Sequence, residues 1–211
     1  MNITIIGASA GVGLETVKRA LDRHHNVTTL SRSVIDILDQ KNLHSLLGNA
    51  LSKEALKKSI ENADAVIVAL GTGKSMKPTT LYSEFASILT EVAAELKKDI
   101  PYIILTGFGA GKSGSYQPNL FMKIFFRLLL KDVYADKTKM EELISRSNLR
   151  WVIVRPGLLK DNALTEKYKI ETKLYKGIKI GSINRADVAD FLVKQAENPT
   201  YEGLYPAISN I

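Results

Sequence analysis

Short apolar runs alternate with stretches of helical period along the whole chain. Asn2-Ile3-Thr4-Ile5-Ile6 reads as a strand, and Leu14 to Leu21 follows with apolar residues at helical spacing. Asn26 to Leu30 reads as a second strand, and Leu43 to Leu47, bounded by Gly48-Asn49, as a third. A helix carrying Leu51, Ala55, Leu56 and Ile60 leads into a buried strand over Asp64 to Leu70 that ends at Gly71-Thr72-Gly73. Tyr82 to Lys97 is an amphipathic helix, and Pro101 to Leu105 is a fifth strand that stops at Thr106-Gly107-Phe108-Gly109. Leu120 to Ser145 reads as largely helical, and Leu149 to Val154 as a sixth strand ending at Arg155-Pro156-Gly157. Continuous apolar strands alternating with helices predict an α/β fold, a doubly wound, mostly parallel sheet with helices on both faces. In such a sheet the ligand crevice opens at the carboxyl ends of the strands, where Gly7, Arg32, Gly71, Thr106, Arg155 and Pro156 all fall.

The first of these strand ends is the most specific. Gly7-Ala8-Ser9-Ala10-Gly11-Val12-Gly13 separates a strand from a helix, the arrangement that aims backbone N–H groups at a pyrophosphate. Gly7 permits the tight turn, Gly11 lets backbone approach the phosphates, and Gly13 lets the helix pack closely on the sheet. Ser9, Ala10 and Val12 complete this cradle. The spacing is G-x-x-x-G-x-G, not the commoner G-x-G-x-x-G.

The bulk properties narrow the picture. A chain of 211 residues is large enough to bury a core in one domain, 1–211, and the polar stretch from Lys160 to Ile180 suits a small substrate-side lobe over 158–182. The absence of cysteine excludes thiol catalysis and Cys-ligated metal, and it fits a reducing compartment. The first strand begins at Asn2 and no apolar stretch reaches about 18 residues, so neither a signal peptide nor a membrane span is expected, and a cytoplasmic protein is. The net charge of +7 is spread along the chain, with pairs such as Lys57-Lys58 and Lys97-Lys98 at helical spacing from apolar residues. Solvated helix faces and an anionic cofactor account for that charge, and no nucleic-acid motif accompanies it. His24, His25 and His44 lie away from the crevice and do not read as metal ligands, so no metal is expected.

The end of the second strand selects the cofactor. An acidic residue there binds the ribose 2′-hydroxyl of NAD, whereas an arginine accommodates the 2′-phosphate of NADP. This chain has Leu30-Ser31-Arg32-Ser33 and no carboxylate until Asp36, which favours NADP over NAD. Arg32 is then a bidentate phosphate partner, the alternative being an ordinary surface arginine. Asn49, with Ala50, either reaches the adenine edge or is a turn residue. Leu70, Gly71 and Thr72 at the fourth strand end, and Arg155, Pro156 and Gly157 at the sixth, complete the expected cofactor contacts.

Together these segments resemble the short-chain dehydrogenase/reductase superfamily along essentially the whole chain. The resemblance rests on the glycine run, Ser31-Arg32, Ala63-Asp64-Ala65-Val66-Ile67, the stretch from Lys137 to Gly157, and Ile183-Asn184-Arg185-Ala186-Asp187-Val188-Ala189-Asp190-Phe191. The last two are similar to the atypical branch, with its NmrA-like proteins and its flavin reductase/biliverdin-IXβ reductase group. The resemblance implies a single NAD(P)-binding Rossmann domain with an NADP-dependent reductase or NADP-sensing role. The glycine spacing instead looks like the tyrosine-dependent branch.

That branch uses Tyr-x-x-x-Lys, in which a lysine cation lowers a phenol's pKa so that it protonates a carbonyl. Here Tyr134 precedes Lys137 by three residues, and Val133 stands at the tyrosine position. Residues three apart share a helix face, so Tyr134 is either an imperfect proton donor or a packing residue. Lys137 is either a contact to the nicotinamide ribose or an exposed helix lysine. Thr106 is either a substrate hydrogen-bonder or a strand-end cap, and Asp187 either caps the last helix or braces Arg185.

Leu120 to Lys131 is strongly apolar, with cations only at 123, 127 and 131. Burial in its own domain is the first reading and a dimer contact the second, so the chain is expected as a monomer or homodimer. The leading function is an NADPH-dependent oxidoreductase that passes hydride to a flavin, quinone or similar small planar or carbonyl acceptor, since such transfer needs little acid–base machinery. The alternatives are a non-catalytic NADP-binding regulator of NmrA-like type and, behind it, a nucleotide-sugar epimerase or reductase.

Overall fold

A computed structural model describes residues 1–37, 40–73, 75, 77–116 and 130–211. β1 (Asn2–Ile6), α1 (Gly11–Asp22), β2 (Asn26–Ser31), β3 (Leu43–Leu47), α2 (Lys53–Ile60), β4 (Ala65–Val68), α3 (Leu81–Leu96) and β5 (Pro101–Leu105) follow in order. A 3₁₀ turn (Gly111–Tyr116) comes next, then α4 (Lys131–Ser145), β6 (Arg150–Pro156), β7 (Leu158–Lys160), β8 (Tyr168–Glu171), β9 (Ser182–Asn184), α5 (Arg185–Glu197) and β10 (Ala207–Asn210). The main sheet has eight strands in the order β3-β2-β1-β4-β5-β6-β10-β8. All of its pairings are parallel except β10 with β8. The order reverses between β1 and β4, and a doubly wound sheet binds its ligand at that reversal.

The central strands are apolar on both faces because helices cover both. In β4, Ala65 and Ile67 join one core with Ile3, Ile5, Val17 of α1 and Phe191 of α5. Val66 and Val68 join the other, with Leu56 of α2, Phe85 and Leu89 of α3 and Met140 of α4. The period-two alternation thus feeds two cores, and each fully buried Ile, Leu or Phe contributes about 1.5–3 kcal/mol of apolar burial. Thr4, a polar residue in that run, donates its hydroxyl to the Ser59 carbonyl at 2.5 Å, which removes the penalty of an unpaired buried hydroxyl.

Three expectations change. The first helix begins at Gly11, not Leu14, which brings Gly11 and Gly13 into its first turn. The fourth strand is shorter than expected at both ends, and Asp64 just before it pairs twice with Asn2, its N–H donating to the Asn2 carbonyl at 2.8 Å and its carboxylate accepting from the Asn2 N–H at 2.7 Å. The stretch from Lys160 to Ile180 is not wholly irregular: β8 within it pairs antiparallel with β10 and closes the sheet's edge, while β7 and β9 form a small parallel ribbon. Of the apolar segment Leu120 to Lys131, residues 120–129 lie outside the described residues.

Candidate functional site

The cradle is built by steric necessity. Gly7 has φ +87°, and a Cβ there would sit 2.7 Å from the Ala69 carbonyl oxygen, so only glycine lets β1 turn this close to the end of β4. A Cβ on Gly13 would sit 2.0 Å from the Gly7 carbonyl oxygen, so the first turn of α1 packs directly on the strand that precedes it. Gly11 differs: the nearest atom to its hypothetical Cβ is the Arg185 Nε at 3.7 Å. Ala10 holds an extended conformation at the N-cap, no side chain among the described residues caps α1, and no acidic residue occupies its first turn. The helix therefore opens with backbone N–H groups lacking intrahelical acceptors and with the positive end of its dipole, a setting that fits an anionic diphosphate.

Ser31 and Arg32 lie at the end of β2. The buried Ser31 hydroxyl donates to the Ser33 carbonyl at 2.7 Å, fixing the turn from which the exposed Arg32 projects. Arg32 forms no ion pair among the described residues. Asn49 is exposed, and its side-chain oxygen accepts from the Leu51 N–H at 3.0 Å, so it acts as a turn residue beside the buried Ala50. At the end of β4, Leu70 packs partly on the core, Gly71 is exposed, and the Thr72 hydroxyl donates to the Ser75 carbonyl at 2.9 Å.

At the other end of the crevice the polar groups close on one another. Tyr134 and Lys137 share a face of α4, and the Lys137 Nζ lies 5.2 Å from the ring centroids of both Tyr134 and Tyr82. Lys137 is not an exposed helix lysine: its ammonium donates to the Thr106 carbonyl at 2.7 Å. Burial of that ammonium pushes its pKa down to about 8, against the attraction of Glu141. Burial, reinforced by the neighbouring Tyr82 phenol, pushes Tyr134 up to about 12, the opposite of an activated proton donor. Gly107 makes room for this phenol, since a Cβ there would sit 2.9 Å from the Tyr134 Oη.

Thr106 donates its hydroxyl to Glu141 Oε1 at 2.7 Å. Glu141 in turn receives both prongs of Arg155, Nε at 3.0 Å and Nη2 at 2.6 Å, and Arg155 lies over the Tyr205 ring at 4.4 Å. Expected at the nucleotide, the Arg155 guanidinium is held in a buried pair whose two side chains are 5 % and 3 % exposed. Pro156 ends β6 beside Ile208, and Gly157 allows the Gly181 carbonyl to pass, because a Cβ there would lie 1.8 Å from that oxygen.

A protein-family model described as NAD(P)H-binding matches residues 7–199. The chain belongs to the NAD(P)H-binding family. A curated relative, the UPF0659 protein YMR090W of Saccharomyces cerevisiae, is 24% identical over 94% of this chain and 88% of its own length. Among solved structures, ChuY of Escherichia coli O157:H7, an anaerobillin reductase, superposes with a TM-score of 0.81 at 22% identity, covering 100% of this chain and 97% of that one. A short-chain dehydrogenase/reductase of Veillonella parvula in complex with NADP superposes with a TM-score of 0.81 at 16% identity, covering 99% and 94%. At these identities the structural likeness shows the Rossmann fold.

Within this NAD(P)H-binding chain several site residues escape sequence reasoning. Tyr82 comes from α3 with no motif to mark it. Asp136 caps that helix from α4, accepting from the Tyr82 N–H at 2.8 Å, a tertiary cap invisible to local patterns. Glu141 carried a usable signal, since it stands four residues after Lys137 on one helix face. Asp187 neither caps α5 nor braces Arg185. It is fully buried, which pushes its carboxyl up, but the Asn210 amide, the Thr165 and Glu166 N–H groups and the Thr165 hydroxyl donate to it and hold it below the usual range, and the Asn184 amide donates to it too. Arg185 pairs instead with Asp161, at 2.6 Å. No His/Cys/Asp/Glu group among the described residues is arranged to hold a metal.

Proposed function

We propose that this chain is an NADPH-dependent oxidoreductase that reduces a flavin, a quinone or a similar small planar or carbonyl acceptor. The observation that carries the reading is the contrast within one crevice: an uncapped, glycine-lined helix N-terminus ready for a diphosphate, beside a Tyr134–Lys137 pair that is not set up to donate a proton. A bound reduced nicotinamide supplies a hydride, and an acceptor with an extended π-system takes it without a protein acid. Gly7 to Gly13 hold the diphosphate by backbone, and Ser31 and Arg32 receive the ribose 2′-phosphate. Asn49 and Ala50 border the adenine, and Leu70, Gly71, Thr72, Pro156 and Gly157 line the nicotinamide half. Lys137 fixes the Thr106 carbonyl in the floor, and Tyr134 forms a wall against which a planar acceptor lies. The reductase name of ChuY and the NADP held by the Veillonella protein support this reading by analogy of fold.

NADPH oxidation followed against free flavins, quinones and small carbonyls, with NADH in parallel, tests it. Turnover on a flavin or quinone, retained within about threefold in Tyr134→Phe because no barrier-lowering proton transfer is lost, is the expected result. Tight NADPH binding without turnover on any acceptor replaces it with the NADP-sensing regulator. That reading draws on the same closure of Thr106, Glu141 and Arg155.

A further inference from the structure

Arg185 is the residue whose position the cofactor reading leaves unexplained. It opens α5, and α5 lies beside α1 on the same face of the sheet, so both helices begin at the carboxyl end of the strands. Its Nε is 3.7 Å from where a Gly11 Cβ would be, which sets a guanidinium edge against the first turn of α1. Its Nη1 is meanwhile held at 2.6 Å by Asp161, whose side chain is 83% exposed. Asp161 opens an exposed strap, residues 161–167, fastened further on by Asn162 to Asn184 and by Thr165 and Glu166 to Asp187. From Asn162 onward the strap is thus fastened to Asn184 and Asp187, while Asp161 at its start is held by an exposed ion pair that abuts the cradle.

We propose that Arg185 is the side-chain half of the diphosphate cradle and that Asp161 competes with the nucleotide for it. The inference rests on the cofactor reading above. Gly7 to Gly13 otherwise offer only neutral donors, the backbone N–H groups and the Ser9 hydroxyl, whereas a dinucleotide brings two phosphate charges. A guanidinium on a short swing from Asp161 to a phosphate oxygen gains a charge-assisted bond to a more highly charged partner. An exposed carboxylate, only weakly attractive in water, is a partner that can be displaced. Exchange of Arg185 from Asp161 to the diphosphate frees the Asp161 carboxylate, so nucleotide binding and the position of that side chain are coupled.

Fluorescence titrations of the full chain with NADPH, ADP-ribose and 2′-AMP test this. Arg185→Met is expected to weaken NADPH and ADP-ribose, which carry the diphosphate, by about tenfold or more, and to leave 2′-AMP within twofold. Asp161→Asn, an exposed change that spares the fold, is expected to tighten NADPH and ADP-ribose by about threefold, and to lose that effect in the Arg185→Met background. A melting curve without ligand shows whether Arg185→Met is folded; the Asp161→Asn arm stands by itself if it is not. Equal losses for 2′-AMP and ADP-ribose, or an Asp161→Asn chain that binds NADPH no tighter, overturn the proposal while leaving the cofactor site intact. A wild-type chain that binds none of the three overturns both.

Discussion

The two halves of the crevice solve the problem of polar groups at strand ends in opposite ways. At β1 the chain leaves donors open: Gly7, Gly11 and Gly13 remove side chains, and among the described residues no side chain caps α1. At β5 and β6 the chain closes them, with Lys137 on the Thr106 carbonyl, Thr106 on Glu141, and Glu141 on Arg155. An open set of backbone donors is useful only to an anion that arrives from outside. A closed network of charges is rigid, and its cost is already met within the fold, so it makes a floor more readily than a reagent. Under the proposed function, the first half recognises the ligand and the second gives the crevice its shape.

The difference is sharpest if the closed half is opened. Glu141→Ala removes the partner of a guanidinium that is almost wholly buried, and a stranded buried charge costs about 3–5 kcal/mol. Urea denaturation should show that loss. A change below about 1 kcal/mol would mean that water reaches Arg155, and the two halves would not differ as described.

The open half breaks by overfilling. Gly13→Ala places a methyl 2.0 Å from the Gly7 carbonyl oxygen, an overlap only backbone movement relieves, with an expected loss of about 2–3 kcal/mol and of NADPH binding. Gly11→Ala meets no such obstacle. Its cost is that of a side chain at φ +56°, about 1 kcal/mol. Equal losses at the two positions, measured by denaturation, would remove the steric account of the cradle.

Arg32→Gln leaves the fold unchanged, as the side chain is exposed and unpaired among the described residues. It should weaken NADPH by about tenfold and NADH by less than twofold, the difference being the 2′-phosphate. Parallel titrations check this, and equal effects on both dinucleotides would assign Arg32 to the surface.

How much of this was legible in the chain follows the same division. Gly7, Gly11 and Gly13 were readable because their requirement is local: a turn, a first helical turn, and a backbone passing within one methyl's reach. The parallel strands of the sheet's centre also followed from apolar runs alternating with helical stretches, whereas their order did not. Tyr82 and Asp136 were not readable as site residues, because each acts on an element distant in sequence, with Asp136 of α4 capping α3; Glu141 could be placed on the Lys137 face of its helix, but not its link between β5 and β6. β8 escaped for a related reason. Tyr168 to Glu171 has no continuous apolar run, and it is a strand because β10 offers an antiparallel edge.

The smallest effect concerns Lys137, whose ammonium the fold buries in the closed half. In the unfolded chain Lys137 keeps its ordinary pKa near 10.5, while in the folded chain burial lowers it to about 8. Below about pH 8 both states are protonated and the folded state bears the whole penalty. Between about 8 and 10.5 the unfolded chain retains a proton that the folded chain has released, so stability rises with pH across that window. Tyr102 and Tyr134, each pushed up to about 12 chiefly by burial, act with the opposite sign above pH 10, so the measurement belongs below it. Lys137→Met isolates the lysine because both tyrosines remain. The stability of the wild type relative to this variant should increase by on the order of 1 kcal/mol between pH 7.5 and pH 9.5, whatever the offset between them at neutral pH. A flat difference would mean an ammonium hydrated like a surface lysine. The Tyr82–Lys137–Tyr134 cluster would then belong with the open half of the crevice, and a proton-donating Tyr134 would return as the better reading.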